Sequence, residues 1–126
     1  MATYKSSIEL DNKLKLITIL NQQLADTIDL HSQVKNAHWN VRGPSFYALH
    51  QLFDDLGGEA WEFIDSIAER ITALGGIALG NLSVVAKASR LKGSTGTFQN
   101  QERIIRELTI GYAQLCQSTR EVIGIT

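Results

Sequence analysis

The sequence predicts an all-α protein, an antiparallel bundle of long helices. Three observations carry that class. Apolar residues recur at three- and four-residue steps over three long stretches. Breaks fall at Arg42-Gly43-Pro44, at Gly75-Gly76 and at the run KGSTG. No stretch shows the two-residue alternation of a half-buried strand. At 126 residues the chain fits one domain, 1–126, with no internal repeat.

The first helix is expected over about residues 8–38. Leu10, Leu14, Ile17, Leu24 and Ile28 keep a helical spacing, and the stretch holds no Gly or Pro. At 1.5 Å per residue it spans roughly 45 Å. Arg42-Gly43-Pro44 then turns the chain. Pro44 suits a first helical turn, and Ser45 is placed to cap it. The second helix is expected over 45–74. Its apolar stripe reads Leu49, Phe53, Leu56, Ala60, Phe63, Ile67, Ile71 and Leu74, and Gly75-Gly76 ends it. A connector follows, with a short helix over Ser83 to Ser89. The third long helix is expected over 98–123, with Ile105, Leu108, Tyr112, Leu115, Thr119 and Val122 along one face.

Composition excludes several function classes. Apolar residues make up 44% and charged residues 20%, the balance of a soluble globular domain. The formal charge of −1 argues against a whole-domain nucleic-acid footprint. The N-terminal MATYKSS has one lysine, a poor DNA-binding arm. Lys87, Arg90 and Lys92 form a small basic cluster, read as a solvated connector face. The single Cys116 excludes an internal disulfide and suits a reducing compartment. No apolar leader and no run of roughly 20 apolar residues is present, so a cytoplasmic location and no membrane contact are expected.

One polar face carries the chemistry. With His50 at zero on a helical wheel, Asp54 falls at about 40°, Asp65 at about 60° and Glu69 at about 100°, away from an apolar stripe centred near −90°. His50 with Asp54, and Asp65 with Glu69, are four apart and share a face. Imidazole with carboxylates suits iron, manganese or zinc. The competing reading is a solvated polar face. Asp54 and Asp65 lie about 16 Å apart along the axis, too far to share an ion within one chain. Yet 50 with 69 and 54 with 65 have equal sums. If two copies of this helix cross antiparallel about a two-fold axis, His50 meets Glu69 of the partner subunit, and Asp54 meets Asp65 of the partner subunit. Gly57, Gly58 and Trp61 lie on the same side, and Trp61 would lie over Gly58 of the partner subunit. The alternative is that Gly57-Gly58 marks a kink or a break. His38 ends the first helix, where the turn can fold it back beside His50. His31, one heptad earlier and roughly 10 Å up the axis, reads as structural or exposed.

These residues resemble a known family. The blocks KNAHWNVRGPSFYALHQLFDDL and IDSIAERITALGG look like the Dps proteins, the starvation-induced miniferritins. That pattern is His, twelve residues on His, four on Asp, eleven on Asp, four on Glu: here His38, His50, Asp54, Asp65 and Glu69. AERITALGG and LSVVAKASRLK extend the match, which covers about residues 8–92 well. The Glu-x-x-His motifs of larger ferritins do not occur.

The resemblance implies a ferritin-like four-helix subunit in a hollow dodecamer. It implies ferroxidase sites at dimer interfaces, with His38, His50 and Asp54 from one subunit and Asp65 and Glu69 from the other. Such sites oxidise Fe(II) with hydrogen peroxide or oxygen and store ferric mineral, which protects against oxidative damage. Trp39 and Trp61 would sit near the iron and take up stray oxidising equivalents; for Trp61, packing is an equal reading. Zinc or manganese fits the same ligand set. The chain departs from the family in supplying three long helices where the family has four. Two other readings therefore stand beside the ferroxidase: a nucleoid-associated, DNA-coating protein with little iron chemistry, and a shortened, assembly-defective homologue.

Overall fold

The computed structural model describes residues 2–92 and 100–125. Its element order is α1 (Ala2–Asn40), α2 (Phe46–Ala73), α3 (Leu82–Ala88) and α4 (Gln101–Ile125). The all-helical class and the order of three long helices and one short one are as expected. α1 starts earlier than position 8, because the leading residues contain no helix breaker even though they add no apolar period. Gly93 to Gly96 of the KGSTG break, and the expected helix start at 98, lie outside the described residues.

α1 is the wall against which everything else packs. It touches α2, α3 and α4, whereas α2 and α4 make no close backbone approach to one another among the described residues. One buried cluster joins Leu24 of α1 to Ile64 and Ile71 of α2. A second joins Leu30, Val34, Ala37 and Val41 to Phe53 of α2 and to Ile104 and Leu108 of α4. A helix with packing partners on several sides cannot show a one-sided apolar pattern, and α1 does not.

The buried face of α2 is rotated from the expected stripe. Phe63 was expected in the stripe but is 65% exposed, and Ile64 is buried in its place. The buried residues Phe53, Gly57, Ala60, Ile64 and Ile71 centre near −50° on the wheel, while Phe63 sits at about −140°. On α4 the same one-residue correction applies: Ile104 is buried and Ile105 is exposed. Phe46, Leu10 and Leu14 are likewise exposed.

The α1–α2 turn is fixed from α4. Gly43 has φ 133°, a conformation that favours glycine. Ser45 makes no side-chain cap, contrary to expectation. Instead its backbone N–H donates to Oε1 of Gln101, at the start of α4, at 3.2 Å. Gly57 and Gly58 do not break the helix: α2 runs through both.

The connector is held by a polar stripe on α1. Asp26 is 1% exposed and accepts hydrogen bonds from Nε and Nη2 of Arg90 at 2.9 and 2.8 Å, and from the Arg90 backbone N–H. Ser89 Oγ donates to Asp29 at 2.6 Å. Gln22 and Gln33 donate to the carbonyls of Ala88 and Lys92. Lys87, Arg90 and Lys92 are all exposed as expected, but the half-exposed Arg90 is also the ion-pair partner of a buried carboxylate.

Candidate metal centre

Folding α2 back along α1 brings the two histidines face to face. The rings of His38 and His50 stack with centroids 3.9 Å apart and an interplanar angle of 19°. Nδ1 of His38 lies 2.7 Å from the carbonyl oxygen of His50, and Nδ1 of His50 lies 2.7 Å from that of His38. A carbonyl only accepts, so each Nδ1 carries the proton and donates it. In a neutral imidazole that leaves Nε2 with a free lone pair, the tautomer a metal requires. Phe46 stacks on His50 at 5.1 Å and closes one side of the pair.

Asp54 lies one turn further along α2. Its Oδ1 is 3.8 Å from Nε2 of His38. Two donors on one ion, each bonded at about 2.1 Å, sit roughly 3–3.5 Å apart, so a small movement of the exposed Asp54 side chain brings both to a common ion. The same oxygen accepts a hydrogen bond from Lys35 Nζ at 3.2 Å. By type, two imidazole nitrogens and a carboxylate suit a divalent first-row metal, although His38, His50 and Asp54 are not spaced in this chain to hold one by themselves.

Asp65 and Glu69 are not brought to this group. Both are exposed on α2, more than two helical turns beyond Asp54. Among the described residues of one chain, no group of three or more His, Cys, Asp or Glu is spaced to hold a metal alone. Gly58 is exposed and a Cβ there would meet nothing within 4 Å. Gly57 was expected on the ligand side but is buried inside the subunit, where a Cβ would come 2.9 Å from Cδ of Lys35. Trp39 is 65% exposed beside His38. Trp61 is 60% exposed and packs on His31 with ring centroids 5.4 Å apart. Burial first, and the charge of Lys35 second, hold the His31 imidazole below its ordinary 6.5.

Sequence reasoning missed Lys35 at this centre and the polar stripe that grips the connector. The stripe has a visible signal, since Gln22, Asp26, Asp29 and Gln33 recur at helical spacing. Lys35 has none, because its partner lies on another helix.

The fold and sequence have known relatives. A family model described as the ferritin-like domain matches residues 17–126. The DNA protection during starvation protein of Agrobacterium fabrum is 44% identical over 94 residues, 73% of this chain. The chain belongs to the Dps family of ferritin-like proteins. It spans 58% of the length of that Agrobacterium relative. Among solved Dps structures, Dps92 from Deinococcus radiodurans superposes with a TM-score of 0.87 at 31% identity, over 90% of this chain and 69% of that one. A Dps protein from Vibrio cholerae, described as a member of a broad superfamily of ferritin-like diiron-carboxylate proteins, gives 0.82 at 27%, over 89% and 70%. Among the described residues, no helix of this Dps chain is long and apolar enough to cross a membrane.

Proposed function

We propose that this chain is an iron-oxidising miniferritin whose ferroxidase sites are each built from two copies. The observation that carries the reading is the reciprocal locking of His38 and His50, which fixes both rings in a metal-binding tautomer, with His38 beside Asp54. Asp65 and Glu69 of the partner subunit complete the site when two α2 helices cross antiparallel. The sums of 119 that pair 50 with 69 and 54 with 65 support that arrangement, as does the open face over Gly58.

Iron is the substrate. Imidazole nitrogens suit Fe(II), and hard carboxylate oxygens favour Fe(III), so the mixed set eases the change of state. Two Fe(II) ions give up one electron each, and hydrogen peroxide takes both with two protons to become water; oxygen is the alternative oxidant. Storage of the ferric product, assembly into a dodecamer, and zinc or manganese as competing ions belong to the same reading. The partnership of Arg90 with Asp26 weakens the case for the connector as a DNA-binding patch. The test measures peroxide- and oxygen-dependent Fe(II) oxidation together with solution mass. His50→Ala with Asp54→Ala should lower the rate by at least about a hundredfold. An equal rate in both proteins eliminates the ferroxidase.

A further inference from the structure

Lys35 lies on α1, three residues before His38 and on nearly the same face. Its ammonium sits 3.2 Å from Asp54 Oδ1, the oxygen that faces His38 Nε2 at 3.8 Å. A metal joining His38 to Asp54 through this oxygen would compete with the ammonium for it, and bound through either carboxylate oxygen it would bring charge of the same sign to the same place. The lysine stem reaches it by crossing α2 at Gly57, where an added Cβ would come 2.9 Å from Lys35 Cδ and 3.9 Å from Val34 Cγ1. A glycine inside a helix is unfavourable relative to alanine, and passage of this stem gives it a reason. The exposed ring of Trp39 stands on the same side, its centroid 5.9 Å from Nζ. An ammonium displaced from Asp54 can settle over that face.

We propose that Lys35 is a displaceable counter-cation for Asp54, admitted by Gly57, which an incoming divalent ion must push aside. The proposal deepens the metal-site reading above and rests on it. Sodium and potassium offer the carboxylate no more charge than the ammonium does, whereas a divalent ion offers twice as much. The lysine thus lowers the affinity of the site for every cation and leaves it open chiefly to divalent ones. It is a positioning and selectivity residue and not a ligand.

The test is calorimetric titration with Zn(II), which is not oxidised, of the whole chain and four variants. Circular dichroism confirms that each is folded. Lys35→Met and Lys35→Gln should each bind Zn(II) roughly fivefold more tightly, the scale of one partly exposed ion pair. Gly57→Ala should shift affinity the same way, because its methyl group pushes the stem from Asp54. Unchanged or weaker binding by both Lys35 variants overturns the proposal. The double variant His50→Ala with Asp54→Ala separates the two claims. If it loses Zn(II) while the Lys35 variants match wild type, the site stands and the counter-cation falls. If it binds as wild type does, the site reading fails and the proposal with it. An unshifted Gly57→Ala beside tighter Lys35 variants overturns the part given to Gly57.

Discussion

At the scale of single residues, position on a helix decides what a side chain can do. The meeting of His38 with His50 and with Asp54 was legible in the sequence, because the Gly-Pro turn folds α2 back along α1. Lys35 and Gly57 were not, because a contact between helices leaves no period in either. His31 offers a separate check on this neighbourhood. Its imidazole is held below 6.5, chiefly by burial, so it stays neutral in the fold at pH values where the unfolded chain has begun to protonate. The stability tied to it is whole above 6.5 and is lost as pH falls through the folded value. His31 packs on Trp61, so tryptophan fluorescence reports the titration. In a Trp39→Phe background the midpoint should lie below 6.5, and His31→Phe should remove the step. A midpoint at or above 6.5 contradicts the assignment.

At the scale of elements, the three long helices and the short one were legible from apolar spacing and from Gly and Pro. The buried face of α2 was less so. Periodicity says that a stripe exists, but neighbours decide which part of it is covered, and here α1 covers Ile64 while Phe63 stays exposed. The role of Arg90 in the connector was missed for a related reason. A Lys-Arg cluster looks solvated until the opposing helix is known, and here that helix presents a buried Asp26. Arg90→Ala would leave that carboxylate with fewer donors, and should destabilise the fold by about 2–3 kcal/mol in urea unfolding. Lys87→Ala, on the exposed side of α3, should change it by less than about 0.5 kcal/mol. In the core, Ile71→Ala should cost about 2–5 kcal/mol, since Ile71 is 0% exposed between α1 and α2.

At the scale of the whole molecule, the proposed site takes its ligands from two chains. The separation of Asp65 and Glu69 from the histidines was legible as distance along a helix; the two-fold pairing is the proposal that the equal sums motivate. What covers the exposed Leu52 and Phe63 was not, because periodicity does not name a neighbour. Gly58 tests the crossing. It is exposed with open space around it in the subunit, so Gly58→Arg should fold normally yet sediment as a smaller species. The most direct test of the central claim is complementation. A chain with His50→Ala and Asp54→Ala keeps Asp65 and Glu69; a chain with Asp65→Ala and Glu69→Ala keeps the histidines and Asp54. Each alone should be inactive in Fe(II) oxidation. Unfolded together in equal amounts and refolded, they should recover about a quarter of wild-type activity, because half the dimers are mixed and each mixed dimer restores one of its two sites. No recovery on mixing, with both chains folded and associated, would contradict a site shared between subunits.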